Sequence, residues 1–242
     1  MKAYVIPLVF VFTFIQIFAQ NKTLTLHYPN DSTNVVDISD LDSMTIFICG
    51  VSKVYYEGQA YNTIQIGDQC WLKENLNVGT RININQNSSD NAVIEKSCYG
   101  DNEDNCDEYG GLYSWDEAMQ YDTTGGSRGI CPEGWHIPTK AELTILYNEV
   151  SGSGNALKEI GQGSGAGAGT NTSGFSALLA GYRHFNSFYS ELNSIGHFWS
   201  STLDASIRAY AVHLNMNSTT DLITFHTGIW SGYGFCIRCI KD

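Results

Sequence analysis

Seven cysteines behind an apolar N-terminal segment limit the folds open to this 242-residue chain. Residues 1–20, MKAYVIPLVFVFTFIQIFAQ, contain one lysine, an apolar run over residues 5–18 and a small alanine at position 19. This pattern is typical of a secretory signal peptide, and the run is shorter than the roughly 20 residues of a membrane-spanning helix. We therefore expect an exported chain that begins at Gln20 or Asn21 and has no transmembrane segment. Its thiols meet an oxidising compartment and form disulfides, which leaves one cysteine over.

The charge of the chain excludes one class of partner. There are 13 Lys+Arg residues against 25 Asp+Glu residues, a net charge of −12, so the electrostatic footprint of nucleic-acid binding is absent. Glycine (24) and tyrosine (14) are abundant while proline (4) is scarce, a balance that suits short strands and many turns. One CxxC pair occurs, at residues 236–239, without the second pair or the histidine spacing of a zinc finger. We therefore assign the cysteines to disulfides rather than to a metal.

Turn signals divide the mature chain into a short lead-in, residues 21–52, and a main domain, residues 53–242. In the lead-in, apolar and polar residues alternate over residues 23–28 and 44–48, which predicts a small hairpin of those two runs. From residue 175 onward, short strand-like runs alternate with turns rich in Gly, Asn, Ser and Asp. The predicted strands cover residues 176–180, 182–185, 197–201, 209–214, 222–225 and 234–240. This pattern indicates a mainly antiparallel sheet.

Two short helices are predicted before this sheet. The first begins after Ser114, whose hydroxyl can cap the backbone N–H groups beside Glu117. The second begins after Thr139, which forms a capping box with Glu142 three residues later. Its apolar face is expected to contain four residues at helical spacing, namely Leu143, Leu146, Tyr147 and Val150. Helices followed by a strand meander predict an α+β domain with the helices on one side of the sheet.

Two further segments are predicted to be loops. Residues 79–107 are polar and rich in turn formers, and Cys98 and Cys106 within them are close enough in sequence to favour a local disulfide. Residues 151–170 are rich in glycine but lack the GKS or GKT sequence of a phosphate-binding loop. We interpret this second segment as a flexible surface loop.

A series of motifs in a fixed order connects the main domain to a known family. They are GDQCWLKENL (67–76), CYGDNEDNC (98–106), YGGLYSWDEA (109–118), CPEGWHIPTKAEL (131–143), GFSALLAGYR (174–183), FWSST (198–202) and GFCIRCIKD (234–242). Together they resemble the Fibrobacter succinogenes major paralogous domain, a family of exported bacterial proteins, over residues 53–242. That family is similar to the C-type-lectin-like superfamily, which also contains the formylglycine-generating enzymes. The W-x-LPT-x-x-E helix start of those enzymes is similar to residues 135–142.

The resemblance implies a C-type-lectin-like α+β fold, in which two short helices pack on a mainly antiparallel sheet with long loops and disulfide staples. It implies no activity, because related folds perform unrelated functions. We expect a non-catalytic binding or interaction module with a glycan or protein partner and no cofactor. Export places it outside the cell, in the periplasm or at the outer cell surface. The alternative is an enzyme related to the formylglycine-generating enzymes, or another extracellular enzyme.

The disulfide pairing follows from the predicted last strand, residues 234–240. Side chains three residues apart on a strand point to opposite faces, so Cys236 and Cys239 should not pair with each other. We predict three bridges, Cys98–Cys106, Cys131–Cys239 and Cys70–Cys236, with Cys49 as the odd thiol. Formylglycine generation needs reactive cysteines and a metal, so bridged cysteines at the C-terminus argue against that activity. A Ser/His/Asp arrangement in a nucleophile elbow is also absent from the sequence.

Two groups of residues are candidates for binding. Carboxylates cluster between Cys98 and the start of the YGGLY motif, where oxygen ligands could hold calcium: Asp101, Glu103, Asp104 and Asp107. The chain lacks the EPN, QPD and WND motifs of the usual sugar-binding calcium site and the glycine of an EF-hand, so a solvated acidic loop is the competing interpretation. Aromatic residues in turn-rich segments can stack on sugars or anchor a protein: Phe188, Tyr189, Trp230 and Tyr233. Alternation along the strand assigns Tyr182 and Phe185 to the core instead.

Overall fold

The computed structural model describes residues 6–7, 16–18, 23–27, 33–37, 46–203 and 210–242. The chain divides into two compact units, residues 1–52 and 53–242. Most of residues 1–20, where the signal peptide is predicted, lie outside the described residues. None of the helices in the described ranges is both long and apolar enough to cross a membrane.

The first unit consists of short strands. They are β1 (Ile6–Pro7), β2 (Gln16–Phe18), β3 (Thr23–His27), β4 (Thr33–Asp37) and β5 (Ile46–Phe47). β3 pairs antiparallel with β4 and also with β2, whereas β5 pairs in parallel with β1. The predicted hairpin between residues 23–28 and 44–48 was therefore wrong. Strands that are close in sequence, such as β3 and β4 with five residues between them, pair more readily than strands separated by a long connection.

The second unit is a mixed α+β domain with more strand than helix. Its strands are β6 (Val54–Tyr56), β7 (Gln59–Tyr61), β8 (Thr63–Ile66), β9 (Gln69–Leu72), β10 (Thr80–Arg81), β11 (Glu95–Lys96), β12 (Trp135–His136), β13 (Ala180–His184), β14 (Phe188–Leu192), β15 (Ile195–Leu203), β16 (Tyr210–Asn217), β17 (Ile223–Trp230) and β18 (Ile240–Lys241). Its α-helices are α1 (Glu103–Tyr109), α2 (Trp115–Ala118), α3 (Lys140–Glu149) and α4 (Gly154–Leu157). The coarse prediction of an α+β domain is confirmed.

The largest sheet has the strand order β14-β13-β15-β16-β17. Its neighbours are antiparallel, except that β13 and β15 meet in parallel at the pair Gly181 and Gly196. A second sheet has the order β12-β18-β9-β8. The last predicted strand, residues 234–240, is shorter than expected: residues 234–236 form isolated bridges, and regular pairing begins at Ile240. The predicted meander is thus mainly antiparallel, with parallel contacts at Gly181–Gly196 and at the isolated bridge Phe198–Cys236 that alternation of side chains cannot reveal.

Both predicted helix starts are present. The Ser114 hydroxyl accepts a hydrogen bond from the Glu117 backbone N–H at the start of α2. Thr139 and Glu142 form the reciprocal capping box at the start of α3. Leu143 and Leu146 on α3 are buried in the core. Both predicted caps are confirmed. They could be predicted from the sequence because a cap depends on residues within one turn of each other.

The two segments predicted as loops contain further helices. Helix α1 lies in residues 79–107 and continues to Tyr109, with Asn102 as its N-cap. Helix α4 lies in the glycine-rich segment, with Ser153 as its N-cap. Both caps use a polar side chain that also favours turns, so the local sequence does not distinguish the start of a helix from a turn in a loop. The second unit therefore contains four α-helices in the described residues, two more than predicted.

The glycine-rich segment is packed against the sheet rather than flexible at the surface. Lys158 is fully buried, and its Nζ donates to the carbonyls of Gly167 (2.5 Å), Asn217 (2.7 Å) and Thr220 (2.9 Å). A Cβ atom at Gly167 would lie 2.4 Å from the Ser218 carbonyl oxygen, so only glycine fits there. The segment is thus tied to the turn between β16 and β17.

The disulfides agree with the predicted pairing in part. Cys98–Cys106 and Cys131–Cys239 are both bridged, with Cα atoms 5.0 Å and 6.0 Å apart. The predictions that Cys70 pairs with Cys236 and that Cys49 is the odd thiol were wrong. Cys49 and Cys70 are each disulfide-bonded, and Cys236 is a buried free cysteine. The predicted partner for Cys236 assumed a continuous strand over residues 234–240, whereas residues 237–239 have no regular strand pairing.

Candidate ligand-binding surface

A group of aromatic side chains lies where the β13–β14 hairpin turns. β13 ends at His184 and β14 begins at Phe188, and these two residues are paired across the hairpin. Phe185 follows in the turn, and Ser187 adopts a left-handed conformation there, with φ of 61°. Trp230, the last residue of β17, reaches the same place from another strand of the sheet. The hairpin turn and the end of β17 therefore present their rings together.

Four of these rings form a continuous stack, which we call the aromatic column: Phe188, His184, Phe185 and Trp230. The His184 ring lies 4.2 Å from Phe188 and 4.2 Å from Phe185, with interplanar angles of 13° and 29°. Phe185 stacks on Trp230 at 5.1 Å and 22°. Trp230 is 51% exposed, Phe188 45% and Phe185 36%. A contiguous group of exposed aromatic side chains is typical of an interaction site.

Hydrogen bonds define the protonation of His184 at the centre of the column. The Asn186 backbone N–H donates to His184 Nδ1 at 3.0 Å, so that nitrogen carries no proton. The neutral ring therefore has its proton on Nε2, which lies 3.0 Å from the Tyr233 hydroxyl oxygen and donates to it. Burial lowers the pKa of His184, which favours the same neutral form. The Tyr233 hydroxyl hydrogen then has no acceptor among the described residues and is available to a ligand.

The predicted binding aromatics are only partly brought together. Phe188 and Trp230 belong to the aromatic column, and Tyr233 contacts it through His184. Tyr189 does not: its ring lies 5.2 Å from Tyr99, and its hydroxyl donates to Asp101 Oδ1 at 2.8 Å. Successive residues on a strand point to opposite faces, so Phe188 and Tyr189 cannot share one surface.

The prediction that Phe185 belongs to the core was wrong. Alternation along the strand assigned this residue to the core, but its side chain is exposed and lies in the middle of the aromatic column. β13 ends one residue earlier, at His184, so the two-residue period no longer applies at position 185.

A small polar pocket adjoins the column. It has a volume of about 170 Å³, and its lining includes Asn87, Ser88, Ser114, Asp116, Tyr121 and Trp230. We call this the polar pocket. The Ser88 and Ser114 hydroxyl oxygens are 2.8 Å apart, and the Tyr121 hydroxyl donates to Glu117 Oε2 at 3.1 Å. Burial, together with the neighbouring Glu117 carboxylate, raises the pKa of Tyr121 to about 12. The pocket is lined by four separate segments of the chain, so no local sequence pattern predicted it.

The acidic residues proposed as calcium ligands are mostly engaged by other groups. Glu103 forms ion pairs with Arg81 (3.2 Å) and Lys96 (3.0 Å). Asp101 accepts hydrogen bonds from the Ile84 backbone and from Tyr189, and Asp107 accepts one from Asn77. These donors compete with a cation for the carboxylate oxygens.

The geometry of the acidic loop also argues against a calcium site formed by the four predicted carboxylates. In the described part of the chain, one group of potential metal ligands has its side chains close enough together to share an ion. It consists of Cys98, Glu103 and Cys106. Two of these three are joined in a disulfide, which removes their thiolates as ligands. The structure therefore does not bring Asp101, Glu103, Asp104 and Asp107 together as one ligand set.

Both cysteines of the CxxC segment, Cys236 and Cys239, are inaccessible to a substrate. Burial raises the pKa of the Cys236 thiol to about 12, and Cys239 is bonded to Cys131. Between them, Arg238 is buried, donates to Asn75 Oδ1 at 2.7 Å, and lies 4.4 Å from the centre of the Phe175 ring. Burial lowers the pKa of Arg238 to about 10. Neither cysteine presents an accessible thiolate.

Comparison with known proteins gives one match. No curated protein and no solved structure matches this chain. The family model described as the Fibrobacter succinogenes major domain matches residues 64–241, which include the aromatic column, the polar pocket and the Cys98–Cys106 and Cys131–Cys239 disulfides. The chain belongs to the Fibrobacter succinogenes major domain family.

Proposed function

We propose that residues 53–242 form a non-catalytic binding module that holds a carbohydrate on the aromatic column. The observation that supports this function best is the exposed stack of Phe188, His184, Phe185 and Trp230. The apolar C–H face of a sugar packs on aromatic rings, which offer a large and rigid contact area at little cost in conformational entropy. A protein partner is the second candidate, because exposed aromatic rings also anchor protein interfaces.

The polar groups beside the column favour the carbohydrate over the protein. Small-molecule sites combine apolar and aromatic walls with a few polar groups that orient the ligand. Here Tyr233 offers a hydroxyl donor at the column, and Asp116 and Ser114 line the adjoining pocket. Sugars need both kinds of contact, because each ring has an apolar face and a rim of hydroxyls.

The environment of the cysteines supports a module without formylglycine-generating activity. That chemistry needs a thiolate that substrate can reach. Cys236 is buried with its pKa raised to about 12, and Cys239 is held in a disulfide. The alternative of an enzyme related to the formylglycine-generating enzymes therefore has no nucleophile at these two positions.

The proposal includes a fold relationship and a compartment. We propose a C-type-lectin-like arrangement, which the mixed α+β architecture, the irregular segments and the disulfides support. We also propose an exported protein, secreted, periplasmic or at the outer cell surface. Six of the seven cysteines are disulfide-bonded, a state that persists in oxidising compartments.

A glycan array probed with the full chain, disulfides intact, tests the proposal. We expect binding to a defined group of glycans and loss of that binding in Trp230→Ala. Tyr55→Ala is the matched control, because Tyr55 is 79% exposed and lies outside the column. A blank array, or Trp230→Ala binding as tightly as the parent, would contradict a carbohydrate function and turn attention to a protein partner.

A further inference from the structure

We propose that the polar pocket is a subsite for one uncharged sugar ring, so that the ligand of the aromatic column is a neutral glycan. This inference rests on the proposed function and makes its ligand specific. It follows from the size of the pocket, its charge and the position of Trp230.

The pocket has room for one ring. Its volume is about 170 Å³, and a cavity of roughly 150 Å³ holds one benzene molecule. Trp230 lines the pocket and also stacks on Phe185 in the column. A chain that lies along the column can therefore place one of its rings in the pocket without leaving the tryptophan.

The hydrogen-bonding groups of the pocket match hydroxyls. Asp116 is half-buried at the first turn of α2, and its carboxylate has no hydrogen-bond partner among the described residues. A carboxylate only accepts hydrogen bonds, whereas a sugar hydroxyl can both donate and accept. The Ser88 and Ser114 hydroxyls, which bond to each other, can exchange that contact for one to the ligand.

The charge of the pocket favours a neutral ligand. Asp116 and Arg183 both line it, so one negative and one positive group balance. The Arg183 Nη2 already donates to the carbonyls of Ile84 (3.0 Å) and Gln86 (2.7 Å) and to Asn87 Oδ1 (3.2 Å). An acidic sugar would meet the unpaired Asp116 carboxylate, and like charges at short range repel. The net charge of −12 on the whole chain also repels an acidic sugar.

Isothermal titration of the full chain with oligosaccharides of equal length tests the inference. The probes are cellohexaose, xylohexaose and mannohexaose as neutral chains, and a hexameric oligogalacturonate as the acidic chain. We expect at least one neutral chain to bind and the acidic chain to bind at least tenfold more weakly. Asp116→Ala should weaken neutral binding about tenfold, because it removes a charged hydrogen-bond acceptor. Asp68→Ala, at an exposed carboxylate in the turn between β8 and β9, is the matched control and should bind like the parent.

The outcomes separate this inference from the proposed function. If Asp116→Ala stays within twofold of the parent while Trp230→Ala loses binding, the column binds glycan but the pocket is not a subsite. If oligogalacturonate binds as tightly as the neutral chains, or if it binds while every neutral chain fails, the assignment of a neutral ligand is overturned. In each of these cases, binding that depends on Trp230 still supports the carbohydrate module. Thermal unfolding of each variant shows whether its fold is retained.

Discussion

Phe185 stacks on Trp230 with ring centroids 5.1 Å apart, which joins the turn of the β13–β14 hairpin to the end of β17. β13 and β17 are not neighbours in the sheet, because β15 and β16 lie between them. The contact therefore depends on the whole sheet and not on one hairpin. It also places the most exposed ring of the column next to the polar pocket.

This contact should contribute measurably to stability. We expect a double-mutant cycle of Phe185→Ala and Trp230→Ala to give a coupling free energy of about 0.5–1.5 kcal/mol, the range for aromatic pairs. Urea unfolding of the parent, the two single variants and the double variant provides the measurement. Tyr55→Ala combined with Trp230→Ala is the control pair and should show additive effects. Additive effects for Phe185 and Trp230 would mean that the two rings do not stabilise each other.

Lys158 should be among the residues most sensitive to substitution. Lys158→Met keeps the length of the side chain but removes the donor to three buried carbonyls. We expect a loss of about 3 kcal/mol in the free energy of unfolding, because unsatisfied buried acceptors are costly. Lys53→Met, at an exposed lysine, should change stability little. Equal stability of the two variants would show that the glycine-rich segment is not held by the Lys158 ammonium.

His136 should make stability depend on pH on the alkaline side. Its Nε2 lies 3.0 Å from Glu142 Oε1 and its Nδ1 lies 2.7 Å from Asp242 Oδ1, and the hydrogen bond to Glu142 is the main reason that its pKa is raised. A histidine with a raised folded-state pKa contributes stability that is complete below its unfolded pKa of about 6.5 and is lost as the pH rises through the folded value.

Thermal unfolding over a pH series checks this expectation. The melting temperature of the parent should fall as the pH increases above about 6.5, whereas His136→Asn should show a smaller decline over the same interval. His226→Asn, at an exposed histidine, is the control. A parent and a His136→Asn variant with identical pH profiles would contradict the double ion pair.

Calcium should have little effect on this domain. Glu103 is occupied by Arg81 and Lys96, and Asp101 by Ile84 and Tyr189. A ligand that binds the folded state raises its melting temperature, so we expect the same melting temperature in excess calcium and in chelator. An increase with calcium would revive the acidic loop as a cation site, and Asp104→Ala should then abolish the increase.

Cys236 should be unreactive in the folded protein. Its thiol is buried and its pKa is raised to about 12, so very little thiolate is present near neutral pH. We expect an aromatic disulfide reagent to detect no thiol in the native chain and one thiol after unfolding without reductant, since six of the seven cysteines are bonded. Cys236→Ala should remove the signal in denaturant. Rapid reaction of the native chain would contradict the buried position.

Several features of the fold could be predicted because they depend on residues close together in sequence. The α3 cap uses Thr139 and Glu142, three residues apart, and the Cys98–Cys106 bridge closes a loop of eight residues. Most strands after residue 175 follow from alternation and turn residues, which also act locally. Exceptions are β14, which was not predicted, and residues 176–179, which form only an isolated bridge at Ala177 instead of the predicted strand. The pairing of Cys131 with Cys239 spans 108 residues, and it was predicted from the last strand, where Cys236 and Cys239 were expected on opposite faces and so to need other partners.

The candidate site could be predicted only as a set of types of residue. Aromatic rings in turns marked Phe188 and Trp230 as candidates, but the same rule included Tyr189, and alternation along the predicted strand excluded Phe185. The end of β13 at His184 decided the outcome for Phe185, whereas the position of Tyr189 on β14, next to Phe188, placed its side chain on the opposite face. No sequence pattern connected Trp230 to Ser114 and Asp116, because they lie in separate segments that meet only in the folded domain.

The amino-acid sequence by itself determined the α+β class, the helix caps and the family, because these depend on local hydrogen bonds, periodicity and the order of motifs. The tertiary structure decided that Cys236 is a buried free thiol, and it decided the burial of Lys158 and the assembly of the aromatic column beside the polar pocket. Those features depend on contacts between distant segments, whose geometry is set by how the sheet and the loops pack together.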